Sequence, residues 1–74
     1  MTRYRLYEVD TEFGDLLYSA TYDSEDEALQ TLERYVSEAE REGWDCQFID
    51  SGRVICTLCE EEACYERELG VEKI

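Results

Sequence analysis

The feature that most constrains this chain is a stripe of apolar residues at helical spacing. Ala28, Leu29, Leu32, Tyr35, Val36 and Ala39 recur three and four apart, the period of one buried helix face. Ser24 and Glu27 form a capping-box pair ahead of the stripe, and Glu25, Asp26 and Glu27 suit the positive end of a helix dipole. Gly43 follows as a left-handed C-cap. The spacing predicts one amphipathic helix between Tyr22 and Gly43. Its outer face carries Glu33, Arg34, Ser37, Glu38, Glu40, Arg41 and Glu42.

A single helix needs a partner layer, and the flanking segments read as strands. Residues 3–10 are aromatic and branched, a loop around Gly14 follows, and Leu16, Tyr18, Ala20 and Tyr22 alternate onto one face. The short connection predicts an antiparallel hairpin, in which Tyr4 and Leu6 compete with Tyr7 and Val9 for the inward face. After the helix, residues 44–49 and 53–59 form a second hairpin around Asp50-Ser51-Gly52, with Gly52 expected in a left-handed conformation beside a bulge. That register pairs Trp44 with Leu58, Cys46 with Cys56 and Phe48 with Val54 on one apolar face. From Glu60 to Leu69 the good helix formers predict a short second helix ended by Gly70. The expectation is therefore an α+β fold, a two-layer antiparallel sheet of about four strands (ββαββ) with one main helix and a short C-terminal helix, in a single domain over residues 1–74.

At 74 residues the chain lies near the lower size for a single unstapled core, and its 43% hydrophobic and 12% aromatic content supplies that core. No apolar run reaches the length of a membrane span, and the N-terminus has no signal segment, so a cytoplasmic location is expected.

Four cysteines fall between residues 46 and 64. Cys56 and Cys59 have the C-x2-C spacing of a zinc knuckle, which makes Cys46, Cys56, Cys59 and Cys64 a candidate zinc set. The hairpin register opposes this, because Cys46 and Cys56 face the core while Cys59 points to the other side. Buried thiols acting as small hydrophobes are the simpler reading, and a Cys46–Cys56 disulfide would be kept reduced in the cytosol. No metal or other cofactor is expected. Catalysis has little to rest on. The chain has no His, the usual base near neutral pH, and no glycine-rich phosphate loop. The tyrosines of the first hairpin recommend sheet packing over base stacking, because no basic stripe accompanies them.

Charge remains. The formal net charge is −13, from 20 acids against 7 bases. This excludes direct binding to nucleic acid or to an anionic membrane, both of which need basic surface. Between Arg5 and Arg34 there is no base, while Glu8, Asp10, Glu12, Asp15, Asp23, Glu25, Asp26 and Glu27 all fall there. The first hairpin loop and the helix start are expected to share one negative field. Glu33 and Glu38 extend it along the helix, and Glu60-Glu61-Glu62 form a second patch. Carboxylates held on a rigid frame compete for the Arg and Lys groups that otherwise hold phosphates. An acidic adaptor from a halophile, charged only to stay hydrated, is the other reading of this composition.

In length, charge, sheet–helix plan and lack of catalytic residues, the whole chain resembles small acidic phage-encoded inhibitors, among them anti-CRISPR proteins that act as DNA mimics. No residue carries over by motif. The resemblance implies a stoichiometric blocker of a basic nucleic-acid-binding complex, such as a type I Cascade surface that grips DNA in the host cytoplasm. A free sheet edge leaves either a monomer or a homodimer open.

Overall fold

A computed structural model describes residues 2–74. The helix forms as its stripe requires: α1 runs Glu25–Arg41 and buries Ala28, Thr31, Leu32 and Val36. Ser24 Oγ accepts the Glu27 N–H at 3.4 Å, and the Thr31 hydroxyl, the one polar group on the buried face, donates to the Glu27 carbonyl at 2.9 Å. At the other end Gly43 N–H donates to Glu40 O and Trp44 N–H to Ala39 O, with Gly43 at φ +102°. This is the paired closure that a left-handed glycine permits, and it turns Trp44 back over the last helical turn.

Five strands face the helix: β1 (Tyr4–Asp10), β2 (Leu16–Tyr22), β3 (Asp45–Asp50), β4 (Arg53–Glu60) and β5 (Ala63–Lys73). They form one antiparallel sheet in the order β2-β1-β5-β4-β3. The α+β class stands, but the short C-terminal helix does not. Residues 63–73 are instead the central strand, joining the two hairpins. Helix propensity of Glu, Ala and Leu is worth tenths of a kcal/mol per residue. Period-two alternation of Tyr65, Arg67, Leu69 and Val71 against Glu66, Glu68, Gly70 and Glu72 lets β5 bury Leu69 between two neighbours, and this outweighs propensity.

In the first hairpin Leu6 takes the inward position, fully buried, with Ala20 and Val71 opposite it on β2 and β5. A register shift at Glu8/Val9 sets Leu16 opposite Val9, so Leu16 leaves the face shared by Tyr18, Ala20 and Tyr22. The second hairpin pairs Cys46 with Cys56 and Phe48 with Val54 as expected. Phe48 nevertheless lies on the edge strand and remains 51% exposed, so it contributes little to the core. Trp44 precedes β3 and packs against the core. Gly52 is not left-handed; the Asp50 carboxylate closes the turn by accepting Gly52 N–H at 2.9 Å.

The core is Leu6, Leu32, Val36, Val54, Cys56 and Leu69 between helix and sheet. The other sheet face has no covering layer. There Tyr7 lies against Gly70, where a Cβ would run into its ring, and donates to Glu68 Oε2 at 2.5 Å. The chain measures 46 × 23 × 18 Å, because the β4–β5 hairpin runs past its neighbours as an arm. No described helix is long and apolar enough to cross a membrane.

Candidate functional site

The topology decides which acids meet. Strand β1 runs away from the helix start and β2 returns to it, so the Asp10–Asp15 turn and the Glu25–Glu27 turn sit at opposite ends of the first hairpin. A strand of this length separates them by about 20 Å. The single field expected from the run Glu8 to Glu27 is therefore split. At the helix-start end lie Asp23, Glu25, Asp26 and Glu27, with Arg3, Arg5, Arg53 and Lys73 on the strand ends beside them. Ion pairs there join Arg3 to Asp23 at 3.7 Å and Arg5 to Glu72.

The other end has a different balance. Helix α1 crosses the sheet from the end of β2 to the start of β3 on the far edge, bringing Glu38, Glu40 and Glu42 to the end that carries Asp10, Glu12 and Asp15. Asp45 starts β3 there, and the arm adds Glu66 and, at its tip, Glu60, Glu61 and Glu62. Against these acids stand Arg41 and Arg67. Some of the carboxylates have local work: Asp10 Oδ1 accepts Glu12 N–H at 2.9 Å, and Glu66 Oε1 accepts the Thr11 hydroxyl at 3.0 Å. Glu61 has a positive φ of 48°, a conformation that costs a side-chain-bearing residue about 1 kcal/mol, in the turn of the arm. Glu33 projects from the middle of the outer helix face, apart from both ends.

At the acidic end a cleft of about 290 Å³ opens between the second half of α1, with Glu42 and Trp44 after it, and strands β1, β2, β4 and β5. Cys56 and Leu69 form its floor, Tyr18, Tyr35 and Trp44 its aromatic walls, and Glu8, Glu38 and Glu42 its carboxylates. The Tyr18 and Tyr35 rings meet edge to face with centroids 5.5 Å apart, and Tyr35 Oη donates to Tyr18 Oη at 3.1 Å. The Arg67 guanidinium lies over Trp44, 4.8 Å from the ring centroid, and donates to Glu8 Oε2 at 3.4 Å. Among the described residues Glu38 and Glu42 have no ion-pair partner.

The cysteines divide between the two sheet faces. Cys46 and Cys56 are opposed on the helix side, and burial pushes both thiols up, which keeps them protonated near neutral pH. Cys59 and Cys64 are opposed on the uncovered side of the arm and bonded to each other. The four do not converge on one point, and among the described residues no three His, Cys, Asp or Glu side chains gather as a metal site. The bonded pair is also not the Cys46–Cys56 pair that sequence register brings to mind, because the strand partner of Cys59 exists only once residues 63–73 are a strand.

Sequence reasoning puts the acids from Glu8 to Glu27 in one field; of these and the helix acids, Glu8, Asp10, Glu12, Asp15 and Glu38 lie at the acidic end and Asp23, Glu25, Asp26 and Glu27 at the other. It did not find the cleft. The i, i+4 pair Glu38–Glu42 beside Tyr35 and Ala39 is its local signal, but Arg67 and Tyr18 reach it only through the sheet order. Compared with known proteins, the chain matches no family model, no curated protein and no solved structure.

Proposed function

We propose that this is a non-catalytic acidic binding protein that occupies a basic nucleic-acid-binding surface in place of DNA. The observation that carries the reading is the segregation of charge: acids at the helix-start end are interleaved with bases, while those of the opposite end and arm are largely uncompensated. Three of these acids, Glu38, Glu40 and Glu42, sit in or beside the last turn of α1, where the helix dipole disfavours negative charge. Such a placement raises the energy of the isolated protein and is relieved by an approaching cation. Groups that hold phosphates, chiefly Arg and Lys, are the cations with the matching geometry. The resemblance to DNA-mimic inhibitors points to a CRISPR effector as the target class, and so to action in a host cytoplasm, whose thiol pool would open the exposed Cys59–Cys64 bond of the arm.

The interface on this reading comprises Asp10, Glu12, Asp15, Glu38, Glu42 and the arm acids Glu60–Glu62, with Glu25–Glu27 outside it. The test is capture of partners on the tagged protein from a lysate of cells carrying such effectors. Retention of a nucleic-acid-binding complex at about 50 mM salt, with release at about 500 mM salt and by added duplex DNA, is the expected result, because screening shortens from about 14 to about 4 Å over that range. Capture indifferent to both salt and DNA overturns the reading.

A further inference from the structure

We infer that the cleft at the acidic end is a receptor for a single arginine side chain of a basic partner; this names the contact chemistry of the proposed function and rests on it. The cleft's volume of about 290 Å³ is at the lower limit of small-molecule pockets, about 300 Å³, which suits one long side chain. Its chemistry selects the kind. Its aromatic rings are of the kind that hold a flat cation, each having one arginine of the chain beside it already, Arg67 over Trp44 and Arg34 5.6 Å from the Tyr35 centroid, and the rim of carboxylates excludes an anion. The molecule already uses this mode internally: Arg67 lies over Trp44 and donates to Glu8. One guanidinium answers Glu8 alone. Among the described residues Glu38 and Glu42, one helical turn apart on the opposite wall, have no ion-pair partner, so a second cation entering the cleft has two carboxylates to answer.

Arginine fits better than lysine here. A planar guanidinium stacks on a ring while its edge donates to two carboxylates, whereas an ammonium is a hydrated point charge that cannot do both as well. The carbonyl end of α1, whose last turn carries Glu38 and whose C-cap is Glu42, adds a further negative potential.

Trp44 is the chain's one tryptophan, so its fluorescence reports the cleft without a label. The peptide amide Gly-Arg-Gly should change that fluorescence saturably. The citrulline peptide, of the same shape without the charge, should bind at least about tenfold more weakly, a difference of about 1.4 kcal/mol. The lysine peptide should fall between them. The E38Q/E42Q variant, altered at two exposed helix positions and checked for unchanged far-ultraviolet dichroism, should also lose about tenfold. No saturable response to the arginine peptide, an equal response to citrulline, or an unaffected E38Q/E42Q variant each overturns the assignment. If salt-sensitive, DNA-displaced capture persists without an arginine response, the cleft assignment fails and the proposed function stands. An arginine response without such capture supports the cleft and removes DNA competition as its use.

Discussion

At the scale of residues, the contact between Tyr7 and Gly70 shows how a glycine inside a central strand is tolerated. Glycine costs a strand roughly 0.5–1 kcal/mol in backbone freedom, and here the Tyr7 ring from β1 fills the space a side chain would take. Gly70→Ala should therefore destabilise the fold by about 1–3 kcal/mol, because ring and Cβ cannot coexist without a shift. In a Tyr7→Leu background the cost should largely vanish, a non-additivity that a double-mutant cycle in urea measures directly. The same tyrosine carries a pH prediction. Burial and, next, its hydrogen bond to Glu68 push the Tyr7 phenol up to about 12 from an ordinary 10. A pKa raised on folding gives stability that is present below the unfolded value and disappears as pH rises through the folded one. Stability should hold to about pH 10 and fall between about pH 10 and 12, a loss that Tyr7→Phe reduces; denaturant midpoints across that range are the check. The thiols make a third claim. Because Cys46 and Cys56 lie on one face and Cys59 and Cys64 on the other, a chelator should leave the melting temperature unchanged. A fall on chelation would mean that the four cysteines share a metal after all.

At the scale of elements, the helix was legible because its signals agree: cap, periodic stripe and closing glycine all point one way. The second hairpin was legible through the apolar pairing of Cys46 with Cys56 and Phe48 with Val54. Residues 63–73 were not, since Glu and Ala there favour a helix locally while the alternation of Tyr65, Arg67, Leu69 and Val71 acquires value only beside β1 and β4. Misreading that one element hid the sheet order, and with it the cleft, which Arg67 and Leu69 of β5 help to line. Strand β5 also accounts for the Cys59–Cys64 bond, which ties two strands already paired in an exposed arm. The loop it closes is short, so its contribution to stability should stay below about 3 kcal/mol. Cys59→Ser with Cys64→Ser should keep the sheet and the packing of Trp44, seen as unchanged far-ultraviolet dichroism and fluorescence. Collapse of both signals would show that the arm, and not the α1–sheet core, holds the fold.

At the scale of the whole molecule, composition stated how much charge there is but not where it goes. A run of acids in sequence from Glu8 to Glu27 is folded to opposite ends by a hairpin, whereas acids far apart in sequence, from Asp10 to Glu66, are brought to one end. Net charge alone would act the same from either end, and a directed binding surface would not. The most direct measurement compares two variants that remove the same three charges, in the partner-capture experiment at about 50 mM salt, where screening is weak. One carries Glu60→Gln, Glu61→Gln and Glu62→Gln on the arm; the other carries Glu25→Gln, Asp26→Asn and Glu27→Gln at the helix start. The account predicts that the arm variant loses capture of the nucleic-acid-binding complex while the helix-start variant keeps it. Equal loss in both, or loss in the helix-start variant alone, would contradict it.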